Sequence, residues 1–299
     1  MIKRTSLRTL VHRSLDPSGE NRRPVCAWLT ASAIALSLVI QVTAFAEASR
    51  APVATSTRAG SRAGSQDDKE FIWSFKCVGF GGFFTVDAAT VRSEGNIPQE
   101  FVLAGEETGL AVLFLAAFDC NPAVVDGEDA PFLYSLATVN LSSHPGSYDF
   151  FKFTDNPRVH SRFQRFGVWV QHLHHMSVDV PVANGVLLSA QADVPSPSSP
   201  FTLSAAPATS LPNHVDIPDS PSDHWSDGPL GTVWGADNNC EGRIDPAVVT
   251  AEVPEGTPLA RILGDERVTA PGVFLRLSAS GHVAFAHRTQ RPAGCPTWD

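Results

Sequence analysis

Lysine is nearly absent from this chain of 299 residues, occurring only as Lys3, Lys69, Lys76 and Lys152 beside 18 arginines, and tyrosine and methionine number two each. A Lys-poor, Arg-rich, Ala- and Pro-rich composition points to a GC-rich bacterial genome more than to a chemistry. Other absences exclude whole classes of function. No C-x-x-C spacing occurs among the five cysteines, which excludes a zinc knuckle or a thiol redox motif. There is no G-x-S-x-G and no S-x-x-K, so a nucleophile elbow is not written in the chain. The run Gly79-Phe80-Gly81-Gly82 lacks the Lys-Ser/Thr and following helix of a phosphate loop, and is read as a turn. A basic surplus is also missing, since the formal net charge is -9.

What is present starts with a leader. Basic residues run through Arg23, an apolar run spans Ala27 to Val42, and Ala44-Phe45-Ala46 places small residues at the −3 and −1 positions of a cleavage site. Residues 1–46 are therefore expected to be a signal peptide. Arg22-Arg23 invites a twin-arginine reading, and an uncleaved run would serve as a membrane anchor instead. Cleavage removes Lys3, Arg4, Arg8, Arg13, Arg22 and Arg23 with Asp16 and Glu20. That leaves 16 basic against 29 acidic residues, a mature charge of −13. Such a surface disfavours nucleic acid and anionic membrane as partners. The mature protein is expected to be secreted, to the cell envelope or the medium.

Cys77, Cys120, Cys240 and Cys295 survive cleavage, an even number that reads as two disulfides in an oxidising compartment. Of three connectivities, Cys77–Cys120 with Cys240–Cys295 closes the shorter loops. Residues 47–69 have almost nothing to bury and read as a flexible tether, and 70–299 as a single β-rich domain. Short β-branched and aromatic runs separated by turn clusters predict antiparallel strands. Two helices are marked. One is capped by Asp155, with Pro157 in its first turn and Gly167 as its stop. The other runs from Pro258 to Leu263 and ends at Gly264. The fold class is mainly β, a β-rich α+β barrel or sandwich with two short helices packed against it. The stretch from Pro207 to Asn239, dense in Pro, Asp, Ser and Asn, reads as a long irregular loop anchored by Trp225.

The segment Val168 to Val180 has strand composition throughout. If it is one strand, His172 and His174 share a face with Val170, Met176 and Val178. Two imidazoles at that spacing can ligate Zn²⁺ or Fe²⁺, with a third ligand from His160, His214 or His224. Gly167, His172, His174, Asp179 and Gly185 resemble the first cupin motif. The spacer is one residue short, Asp replaces Glu, and the second motif is missing. Trp169, His172, His174 and Met176 are the expected lining of a small-molecule pocket.

The order of features over about residues 97–290 resembles the acetoacetate decarboxylase-like superfamily. The apolar strand from Gly109 to Phe118 is followed by a strand toward Leu141, then by Tyr148-Asp149-Phe150-Phe151-Lys152-Phe153-Thr154-Asp155-Asn156. A helix ending in Arg165-Phe166-Gly167 comes next, and Thr257 to Gly264 belongs to the same pattern. The resemblance implies a cone-shaped β-barrel around an apolar pocket, with a Schiff-base lysine just after that glycine. Val168, Trp169 and Val170 stand there instead, and no lysine follows Lys152, so that chemistry is expected to be lost. Three roles follow: a non-catalytic barrel for a small apolar ligand, a metal-dependent enzyme using His172 and His174, or a cell-surface interaction protein. Intact-mass and N-terminal sequencing of the exported chain are expected to place its first residue at Glu47.

Overall fold

Strand β1 (Phe71–Asp87) runs without a break through the glycines expected to form a turn. Its backbone pairs on one side with β2 (Leu110–Val125) and on the other with β15 (Arg267–Phe285), so each amide from Cys77 to Gly82 has ladder partners on both flanks. The glycines are there for room. A Cβ on Gly79 would lie 2.4 Å from the Phe118 ring, and one on Gly81 would lie 2.6 Å from the Phe114 ring. Glycine read as punctuation was instead a place where an aromatic ring lies against a backbone.

The computed structural model describes residues 71–285, except 145, 166, 184–185, 209–214, 218–219 and 227–232, with the backbone alone described in parts of several strands. The expected leader, the tether and the Cys240–Cys295 bridge lie outside the described residues. Cys77 and Cys120, opposite each other on β1 and β2, are joined as expected.

The remaining strands are β3 (Glu128–Asp129), β4 (Phe132–Asn140), β5 (Ser147–Thr154), β6 (Gln171–His172), β7 (Ser177–Asp179), β8 (Val182–Ala183), β9 (Val186–Leu187), β10 (Ala190–Val194), β11 (Phe201–Pro207), β12 (Val215–Ile217), β13 (Ser220–Ser226) and β14 (Val233–Glu252). The main sheet is ordered β13-β5-β4-β2-β1-β15-β14-β11-β10-β7. Because β13 pairs with both β5 and β14, seven of these strands form a circuit that returns on itself. The expected loop from Pro207 to Asn239 thus contains strand: backbone pairing to β14 overrides its Pro- and Asp-rich composition.

Alternation sorts the side chains into two clusters. Phe80, Phe84, Leu113, Leu115, Val139, Tyr148 and Phe153 face one way and join β10, β11 and two helices in the main core. Phe75, Cys77, Phe118, Phe132 and Leu275 face the other way. The cluster that holds two helices and two further strands marks one face of the sheet, called outward below, and the second cluster marks the other, called inward.

Among the described residues three α-helices pack on this frame. α1 (Ala88–Glu94), which the sequence did not reveal, is capped by the Asp87 carboxylate accepting from the Thr90 amide at 2.7 Å. α3 (Pro258–Leu263) is capped by Thr257 as its sequence requires, and Arg261 binds Glu94 of α1 through two hydrogen bonds of 2.6 and 2.7 Å. α2 (Pro157–Arg165) is capped by Asn156, whose side-chain oxygen accepts from Arg158 and Val159. Asp155, the expected cap, instead accepts from the Leu133 amide. Val159 and Phe163 of α2, with Val168 and Val170, cover the Phe75 end of the inward face.

Burial makes a direct forecast. Leu203, fully enclosed in the main core, is expected to cost about 2–5 kcal/mol on truncation to Ala, against about 0.5 kcal/mol or less for exposed Leu188. Paired denaturant melts measure both.

Candidate functional site

The segment expected to carry the chemistry is not one strand. Gln171–His172 pairs in parallel with β5, Ser177–Asp179 pairs antiparallel with β10, and the chain turns between them. Leu173 and Met176, three apart, are both buried in the main core, a spacing no straight strand permits. His172 and His174 meet edge to face at 4.4 Å between ring centres, and His160 stacks on His172 at 5.6 Å. The His172 Nε2 lies 2.9 Å from the Asp155 carbonyl. Burial, aided by His172, holds His160 below the usual imidazole range.

Among the described residues no group of three or more His, Cys, Asp or Glu side chains is placed to hold a metal ion. His214, a proposed third ligand, lies outside the described residues, and His224 sits elsewhere, against Asp149. The expected pocket residues are also dispersed. Trp169 is 60% exposed, His174 is exposed, and Met176 is in the core.

A different cluster is concentrated on β5. The register places Leu136 opposite Lys152 and Thr138 opposite Asp149, with Phe150 as the extra residue of a bulge. In a regular strand residues three apart face opposite ways, and the bulge brings Asp149 and Lys152 to the same face. That face is the inward one, which Leu136 shares. Both charged side chains are buried, with side-chain exposures of 7% and 4%.

The Lys152 Nζ lies 3.7 Å from an Asp149 oxygen, an ion-pair distance too long for a hydrogen bond, and makes no hydrogen bond among the described residues. Burial of an ammonium so poorly satisfied disfavours the charged form. The desolvation outweighs attraction to Asp149, and the Lys152 pKa falls from 10.5 to about 8. A larger share of the molecules then carries a neutral amine near neutral pH than for an ordinary lysine. Burial pushes the Asp149 carboxyl up, but His224 and Lys152, with the Thr138 hydroxyl, more than reverse this and hold it below the usual carboxylate range. The Ser147 hydroxyl donates to Asp149 at 3.2 Å, and the His224 Nδ1 lies 3.5 Å from it.

His224 reaches this place because β13 pairs in parallel with β5, opposite Ser147. Trp225, next to it, turns to the other face and packs on Phe101 and His144, at 5.5 and 5.2 Å between ring centres. The expected anchoring role of Trp225 is therefore found. His224 is one-third exposed, so it joins the buried pair to the surface. Beyond the pair the inward face is apolar. Val273, Gly81, Ala116, Leu136 and Lys152 lie in one cross-strand row, and Phe83, Phe114, Thr138, Asp149 and Ser226 in the next. Phe83, Phe114, Leu136 and Val273 are only half-buried.

No protein-family model matches the sequence, and no curated protein matches it. Some solved structures are similar to it at low identity. They include an acetoacetate decarboxylase-like enzyme from Sphingomonas wittichii RW1, 13% identical over 75% of this chain and 94% of that one, with a TM-score of 0.46. The enduracididine biosynthesis enzyme MppR complexed with pyruvate is 14% identical over 73% and 91%, with a TM-score of 0.45. An acetoacetate decarboxylase from Legionella pneumophila is 10% identical over 80% and 92%, with a TM-score of 0.44.

The buried amine gives a pH signature. The unfolded chain keeps the Lys152 proton up to about 10.5 and the folded chain only to about 8. Between those values the unfolded state binds more protons, so stability rises with pH. Lys152→Met is expected to stabilise the protein below pH 8 and to lose that rise between pH 8 and 10. Parallel thermal melts of the two proteins measure it.

Proposed function

We propose that this protein is exported and binds a small carbonyl compound through the Lys152 amine. The observation that supports this reading is a lysine buried beside Asp149 on the face it shares with Leu136, with its pKa lowered to about 8 and its nitrogen without a hydrogen bond among the described residues. A neutral, desolvated amine is a nucleophile. It attacks the carbonyl carbon to give a carbinolamine, which loses its oxygen and both amine protons as water and leaves an imine.

Asp149, held as a carboxylate, stands beside the nitrogen to favour the cationic states along this path. His224, on the same carboxylate and partly open to solvent, offers a route for the protons. The reading replaces a purely apolar ligand site with one anchored by a covalent, reversible bond. The acidic mature surface favours a small molecule over nucleic acid as the partner.

Incubation with acetone and cyanoborohydride, followed by peptide mapping, tests the proposal. Wild-type protein is expected to gain a reduced adduct at Lys152, with a rate that climbs to about pH 8 and then levels. Lys152→Met is expected to gain none within that peptide. An adduct confined to exposed Lys76, or the same rate at Lys152 as at free Nα-acetyl-lysine, would sink the reading.

A further inference from the structure

The charges around Lys152 restrict which carbonyl compounds fit, an inference that rests on the imine reading of this lysine. Along the inward face the positions from Cys77 to Phe83 on β1, Val112 to Cys120 on β2, and Phe132 to Thr138 on β4 are uncharged. Those from Gly242 to Val248 on β14 and Val273 to Leu277 on β15 are uncharged as well. Over these stretches Lys152 and Asp149 are the charged pair of the surface, and His224 joins them from β13.

An α-keto or β-keto acid bound here would need a cation for its carboxylate. The Lys152 nitrogen is consumed in the imine, and Asp149 presents a buried negative charge beside it. Two carboxylates at one desolvated site repel strongly. Apolar partners are at hand instead. Phe83 and Phe114 stack at 4.8 Å with an interplanar angle of 27°, both half-buried, in the cross-strand row that contains Asp149. Leu136 is directly opposite Lys152, with Ala116 and then Gly81 beyond it in the adjacent row. Gly81 and Ala116 are the small residues of that row, and the Phe114 ring lies over Gly81.

We infer that the site takes an uncharged aldehyde or ketone with an apolar, preferably aromatic, substituent laid along Phe83 and Phe114, and that Asp149 excludes keto acids.

Phenylacetone and phenylpyruvate share a skeleton and differ in the carboxylate. Each is offered to the full exported chain at pH 7 with cyanoborohydride, and labelling of Lys152 is divided by labelling of Nα-acetyl-lysine in the same tube, which removes intrinsic reactivity. Phenylacetone is expected to half-saturate labelling at a concentration at least tenfold below that of phenylpyruvate. Asp149→Asn is expected to bring the two within about threefold. Phe114→Ala is expected to weaken phenylacetone several-fold more than it weakens acetone, and this ratio serves if the Asp149 variant does not fold. Equal or better labelling by phenylpyruvate overturns the inference and leaves the imine reading standing. Absence of label at Lys152 from both compounds overturns both.

Discussion

Phe118 and Phe114 lie against the backbone of β1 where Gly79 and Gly81 have no side chains, and this close approach is the constraint on which the rest of the structure depends. Because those two positions are empty, β1 can stay paired on both flanks through its middle, and β2, β15 and β14 follow in register. Continuous pairing through the middle of β1 fixes alternation there, while register shifts at Phe75/Cys77 and Asn239/Glu241 interrupt it elsewhere. Alternation in turn separates the apolar residues into two clusters, one facing the helices and β10–β11 and one facing inward. A side chain at Gly79 or Gly81 would push an aromatic ring off its seat and disturb both clusters together.

The inward face is where a charge can be kept out of water. Its apolar rows have no acceptor to spare for an ammonium, so the Lys152 amine is left with a carboxylate at 3.7 Å and a lowered pKa. Replacing such a pair by apolar side chains is often stabilising, which makes a buried lysine a poor choice for stability alone. Asp149 is better served. It has Ser147 and His224 beside one carboxylate, and it stays charged in spite of burial. The asymmetry between a well-satisfied anion and a poorly satisfied cation is the electrostatic character of the site.

Several parts of this arrangement could be read from residues alone. The β-rich class, the strands around Leu113 and Tyr148, the α3 cap at Thr257, the Cys77–Cys120 bridge and the anchoring of Trp225 each follow from local pattern or pairing arithmetic, and each is found. The α2 helix was legible too, although Asn156 rather than Asp155 caps it. α1 was missed because its seven residues carry too short an apolar pattern to stand out, even with Asp87 as its cap. The histidine segment failed for a physical reason: its apolar residues suit a strand at every position, but Leu173 and Met176 find burial only if the chain turns.

The sequence by itself determined the β-rich character of the chain, which positions are apolar, and that Lys152 stands in the aromatic run from Tyr148 to Phe153. Those properties are local and survive any tertiary arrangement. Only the tertiary structure decided that Asp149 and Lys152 meet, because a single bulged residue, Phe150, reverses the facing that strand periodicity assigns them. It also decided that His224, 75 residues from Asp149 along the chain, completes the cluster, since that contact exists only through the parallel pairing of β13 with β5. Alternation is a property of one strand, whereas bulges and strand order are set by the whole sheet, and the chemistry of this site lies in the second kind.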